Sequence, residues 1–340
     1  MGQTSRLRHG SREYSRYRGG SFKTQDNRRQ LTHELWTFPT RLGIRVAHIR
    51  DIPLWMIALY FQMRLCEGIA APHARNTTTA VRVLLDEAGR GRVNTECSND
   101  ALGVPRRDRT GTRRALTPEE FAQMRERARC VDEGLAHHIS IMYYLGPRAI
   151  EALRSADTLA GWLALLRMDA NSLPFSHGAK TNRFRNIEII SSLRDQTIQT
   201  IEEALAYCET HNGRLLNGIG NDLKTGRNRM RTALQAAGFS GDTVSHCCRY
   251  SYAVNLALEL LDAGVSPDDV LDRVSQSLGH GDRAPMVLNT YLREIKERFA
   301  SATIPRVTSR NPKRAGRRRH LPGPQRTIRS NRVMQFKKES

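Results

Sequence analysis

The chain of 340 residues is long enough for two domains, and its 54 Lys and Arg against 34 Asp and Glu give a formal charge of +20. That excess points to a polyanion, with nucleic acid ahead of an anionic membrane surface. No apolar run reaches the roughly 20 residues of a spanning helix, which sets a membrane-embedded class aside.

Residues 1–29 are rich in Arg, Ser, Gly and Tyr and lack the apolar stretch of a secretory signal. The composition predicts a disordered basic arm, although a mitochondrial transit peptide would look similar. From 30 to 100 apolar residues recur at helical spacing, predicting helices over 31–50, 53–68 and 72–89. Asp51 reads as an N-cap ahead of Pro53, and Gly68 and Gly89 as C-terminal stops. This is a small all-helical domain. Its Arg41, Arg45, Arg50, Arg75 and Arg82 are expected to touch phosphates, against the alternative of solvated arginines on a helical bundle.

Residues 101–116 hold proline, two glycines and the pairs Arg106-Arg107 and Arg113-Arg114 without an apolar period, and read as a basic linker whose arginines are expected to track a DNA backbone, against the alternative of a plain exposed linker. A second domain, 117–303, opens on Thr117-Pro118-Glu119-Glu120, the pattern of a capping box with proline in the first turn. It is predicted as mainly α with a small β-sheet, its strand near 186–190 following a polar hairpin turn over 180–186. Ser266-Pro267-Asp268-Asp269 and Ala284-Pro285 mark two later helix starts. Beyond 304 the arginines sit among Pro, Gly and Ser, predicting a disordered basic tail. The six cysteines show neither CxxC pairs nor metal-ligand spacing, so the chain reads as reduced and cytoplasmic, with no metal site.

Five stretches carry chemistry: Gly146-Pro147-Arg148-Ala149-Ile150-Glu151, Gly178-Ala179-Lys180-Thr181-Asn182-Arg183, His246-Cys247-Cys248-Arg249, Leu278-Gly279-His280 and Tyr291. Arginine grips a phosphodiester with a planar fork, histidine moves a proton, and tyrosine is a nucleophile for phosphorus. In this order, from about residue 117 to 299, they resemble the tyrosine recombinase (phage integrase) family. The helical segment before them resembles the family's core-binding domain more loosely.

The resemblance implies that Arg148 and Arg249 hold the nonbridging oxygens of the scissile phosphate, and that Lys180 protonates the departing 5′-oxygen. His246 would accept or share the tyrosine proton, His280 would bond the phosphate, and Tyr291 would form a 3′-phosphotyrosine link. Arg183 and Arg185, in the hairpin, are expected on DNA. No cofactor is implied, because the arginines stabilise charge that a two-metal nuclease assigns to its ions. The implied partner is double-stranded DNA in a bacterial nucleoid, gripped by a C-shaped clamp of two domains. A homotetramer on paired sites would integrate or excise a mobile element, with accessory DNA-bending or directionality proteins.

Arg148 and His246 also fit a surface arginine and a core histidine, and His280 a helix cap. Three departures from the family pattern stand out: Tyr250 follows Arg249 where a second histidine is common, the stretch from Arg249 to His280 is longer than usual, with an extended loop or helix expected around 265–276, and the gap from His280 to Tyr291 is two residues longer than usual. A noncatalytic DNA-binding protein and a type IB topoisomerase-like enzyme are the alternatives.

Overall fold

In the computed structural model the chain is mainly α-helical with one two-stranded sheet, as the apolar pattern predicts. It divides into two compact units, Met1–Arg109 and Thr110–Ser340. The structure describes residues 2–90, 92–106, 113–175, 184–216, 222–239 and 242–303. The predicted tail 304–340 lies outside the described residues, as do Arg107, Lys180, Arg183 and most of the hairpin turn.

The first unit consists of α1 (Gln3–Tyr17), α2 (Phe22–Thr32), α3 (Phe38–Arg41), α4 (Leu54–Cys66), α5 (Ala71–Glu87) and α6 (Val93–Glu96). They enclose Leu35, Trp36, Ile52, Met56, Phe61 and Leu84. The first two helices correct the expectation of a disordered arm over 1–29. α1 buries Leu7, Ser11 and Ser15, four residues apart on one face. Only one of the three is apolar, so hydropathy gives no sign of the packing, yet the small serines let α1 lie against α2 and α5. Polar ties close the seam: Ser15 Oγ donates to Gln25 O at 2.9 Å, and Arg28 Nη1 to Gly19 O at 2.9 Å.

The stretch 31–50 is likewise not one helix. α2 stops at Thr32, Pro39 lies in the first turn of the short α3, and Gly43 follows it at φ 68°. Pro53 itself, rather than Asp51, is the cap of α4; Asp51 sits in a 3-10 turn, while buried Ile52 anchors the entry.

The second unit begins with α7 (Pro118–Val131) and the capping box at Thr117. Glu120 N donates to Thr117 Oγ1 at 3.2 Å, and Thr117 N to Glu120 Oε2 at 3.0 Å. There follow α8 (Glu133–Leu145), α9 (Ala149–Leu153), α10 (Leu159–Arg167), β1 (Ser172–Phe175) and β2 (Arg185–Glu188). α11 (Arg194–Thr210), α12 (Leu223–Ala236), α13 (Asp242–Asp262), α14 (Pro267–Ser277) and α15 (Ala284–Thr290) complete it. The strands pair antiparallel, with Phe175 opposite Arg185. α8 is buried on nearly every side and is the hub against which α7, α11 and α13 pack. Among the described residues no helix is long and apolar enough to cross a membrane.

Burial at this hub has a consequence for pH. Both ring nitrogens of His138, in the middle of α8, are buried without a partner, and burial pushes its pKa down to about 4. The unfolded chain binds that proton near pH 6.5, so stability is full above the unfolded value and falls as pH drops from about 6.5 towards 4. The loss at the acid end is of the order of 3 kcal/mol. Thermal midpoints should therefore drop more steeply with acid in the wild type than in His138→Leu; parallel curves would contradict this.

Candidate active site

α8 ends at Gly146, whose φ of 63° turns the chain into Pro147 and Arg148. A Cβ at Gly146 would stand 2.2 Å from Cδ1 of Tyr252, a buried ring whose hydroxyl donates to Glu188 O at 2.7 Å. Gly146→Ala is expected to destabilise the unit by about 3 kcal/mol or more, through left-handed backbone strain and overlap together. Denaturant titration measures this, and a loss under about 1 kcal/mol would mean that the ring swings clear.

The same turn aims the Gly146 carbonyl at Arg249. This arginine lies on α13, fully buried, and its guanidinium joins three segments of the chain. Nη1 donates to Gly146 O, Nη2 donates to Leu278 O, and Nε donates to Tyr291 Oη at 3.4 Å. Nη2 also faces His280 Nε2 at 3.4 Å, and that nitrogen is 3.3 Å from Tyr291 Oη. A guanidinium only donates, so the His280 Nε2 that faces it is the acceptor and the ring proton sits on Nδ1. Tyr291 therefore accepts from Arg249 and donates its hydroxyl proton towards His280.

His246 meets Tyr291 differently. Its ring centroid lies 5.8 Å from that of Tyr291 at 64°, and Tyr250 lies 4.7 Å from it on another side. The resemblance assigned the tyrosine proton to His246 and the phosphate to His280; here His280 is the histidine whose nitrogen has the hydroxyl within hydrogen-bond distance. Burial, then the charges of Arg249, Arg113 and Arg148, push His246 down to about 4. Burial, then Arg249, Arg148, Arg283 and Arg185, push His280 down to about 3. Both imidazoles are neutral at pH 7, the form able to take a proton.

The longer gap before Tyr291 is folded into tight turns. His280 N donates to Ser275 O at 2.8 Å, Ser275 Oγ donates to Gly281 O, and Arg283 N donates to Gly281 O at 2.7 Å. Ala284 and Pro285 then open α15, as predicted, and Tyr291 is its C-cap residue rather than part of the helix.

Arg148 is the N-cap residue of α9 and one-third exposed. Its Nη1 and its backbone N donate to the two oxygens of Glu151, each at 2.8 Å. Glu151 is buried and is shared with Arg185, whose Nη2 donates to Oε2 at 2.7 Å. Burial raises the Glu151 carboxyl, but the two guanidiniums outweigh it and leave its pKa below the ordinary value. Arg185 was expected on DNA phosphate. Instead it is buried, because β2 turns it inwards over Phe175 and Glu151 neutralises it there. A sequence reading passes over Glu151 as a bridge; the available signal is a carboxylate set between apolar Ile150 and Leu153.

Among the other arginines expected on DNA, Arg41, Arg45, Arg50, Arg106 and Arg114 are exposed, while Arg75, Arg82 and Arg113 are half-buried. Arg75 Nη1 donates to Pro105 O at 3.0 Å, and Arg114 pairs with Glu120. Among the described residues no group of three or more His, Cys, Asp or Glu side chains could hold a metal ion.

Two sequence-family models match the chain: one described as Integrase over residues 103–255, the other as Phage integrase, N-terminal over residues 4–94. Between them they span more than half of it. No curated protein sequence matches. Among solved structures, a lambda integrase dimer bound to a COC′ core site is 18% identical, with 83% of this chain and 76% of that chain covered and a TM-score of 0.51. A lambda integrase(75-356) dimer bound to a COC′ core site is also 18% identical, covering 83% and 94%, with a TM-score of 0.50. These likenesses show the shared fold. With both family models in chain order, the protein belongs to the tyrosine recombinase, or phage integrase, family.

Proposed function

We propose that the protein is a site-specific DNA recombinase that cuts and rejoins double-stranded DNA through a covalent 3′-phosphotyrosine at Tyr291. The observation that carries this reading is the placement of Tyr291 Oη between a donor, Arg249 Nε, and an acceptor, His280 Nε2. In the proposed reaction Oη bonds to phosphorus while its proton passes to neutral His280, and the bond from phosphorus to the 5′-oxygen breaks. Lys180, assigned by its family position, supplies the proton that the leaving oxygen takes up. Arg148 and Arg249 offset the charge on the nonbridging oxygens. His246 packs against the Tyr291 ring and keeps it aimed.

The ester retains the energy of the broken bond, so the 5′-hydroxyl of a second strand reverses the attack and joins new ends without ATP. Such an exchange calls for a tetramer on two DNA sites and suits integration or excision of a mobile element, with accessory DNA-bending or directionality proteins as further partners. Exposed Arg41, Arg45, Arg50, Arg106 and Arg114 supply the phosphate contacts that the net charge implies. The relatives solved as lambda integrase dimers on a COC′ core site support DNA as the substrate.

A noncatalytic reading drew on the longer gap before Tyr291, and the hydrogen bonds that Tyr291 makes to Arg249 and His280 do not favour it. The test is to mix the protein with nicked suicide duplexes cut from the DNA flanking its own coding sequence. A protein–DNA adduct stable to denaturant is expected. Binding without any adduct would select the noncatalytic reading, and relaxation of plasmid at arbitrary sites the topoisomerase-like one.

A further inference from the structure

We infer that Arg185 is a positioning residue, which fixes how much of Arg148 remains available to the phosphate; this rests on the recombinase reading above. Arg185 connects three of the segments that build the site. Its Nε donates to Ser277 O at 3.0 Å, directly before Leu278-Gly279-His280. Its Nη2 and Nη1 donate to Glu151 at 2.7 and 3.3 Å, and it is itself the first residue of β2. Its guanidinium carbon sits 4.4 Å from the Phe175 ring centroid, which fixes the plane of the fork. Gly279 is part of the same fit, because a Cβ there would come within 2.9 Å of Arg185 Cδ.

Burying an arginine and a carboxylate together adds little to stability, so geometry is the gain. One carboxylate lies between two guanidiniums. While Arg185 occupies Glu151 with a fork, the side chain of Arg148 gives it a single hydrogen bond, from Nη1. Remove the Arg185 fork and Glu151 is left with Arg148 as its one cationic partner. A buried carboxylate in that position draws Arg148 into a bidentate pair, away from the phosphate.

The test is a double-mutant cycle on the full chain, read as single-turnover cleavage of the nicked suicide duplex. Arg185→Met keeps the apolar contact with Phe175 and is expected to slow cleavage about 30-fold or more while DNA affinity stays within about 3-fold. In an Arg148→Lys background the same change is expected to cost under about 3-fold, because Lys has no fork for Glu151 to capture. A merely structural role would give the same fold-loss in both backgrounds, and that result overturns the inference. Should Arg185→Met not fold, Arg185→Lys takes its place: it keeps the charge, cannot serve Glu151 and Ser277 O together, and must show the same dependence on background. Wild-type protein that cleaves no substrate overturns the recombinase reading itself. A wild type that cleaves, with equal losses in both backgrounds, removes only the role of Arg185.

Discussion

Tyr291→Phe is expected to bind DNA as tightly as the wild type, within about 3-fold, and to form no covalent adduct at all. The substitution removes one oxygen and two long hydrogen bonds, at 3.4 Å to Arg249 and 3.3 Å to His280. What remains is the packing of the ring: Tyr250 at 4.7 Å, His246 at 5.8 Å and the Arg249 guanidinium carbon at 5.7 Å from its centroid. A phenylalanine ring makes the same contacts, so folding and affinity should hold while the nucleophile is lost. Gel-shift titration beside adduct trapping on the same preparation separates the two. Adduct formation by the phenylalanine variant would transfer the nucleophile to another residue.

Arg249→Lys is expected to lower cleavage by about a thousandfold or more, since one ammonium replaces a fork serving several acceptors. The wild-type guanidinium satisfies Gly146 O and Leu278 O and also bonds Tyr291. Lysine has the charge without the plane, and each buried carbonyl it abandons costs about 1–3 kcal/mol. Stability should fall with activity here, unlike in Tyr291→Phe. The thermal midpoint and the cleavage rate, measured together, check this. A variant with wild-type stability would show that the two carbonyls find other donors.

Much of the scaffold could be read in advance because its signals are local. The capping box at Thr117, the Ser266-Pro267 helix start and the break at Gly146 each lie within a few residues of chain, and each has its expected conformation. The packing of α1 was hidden because its seam is made of serines and backbone carbonyls rather than apolar side chains. The fate of Arg185 was hidden for another reason. Its partners, Glu151 and Ser277, lie 34 and 92 residues away, and an arginine in a polar hairpin looks the same in sequence whether it faces solvent or the interior. That the ring nitrogen within 3.3 Å of Tyr291 Oη is His280 Nε2, while His246 meets the ring of Tyr291, belongs with it, because ring orientation is not encoded by spacing. The extra residues before Tyr291 depart from the family pattern, and the hydrogen bonds around Gly281 fold them into a turn.

The most direct measurement is to digest the trapped adduct and identify both ends of the protein–DNA bond by mass spectrometry. A phosphotyrosine at Tyr291, joined to the 3′ end of the cut strand and leaving a free 5′-hydroxyl, is the expected result. A link through any other residue, a 5′-phosphate linkage, or cleavage with no protein attached would contradict it.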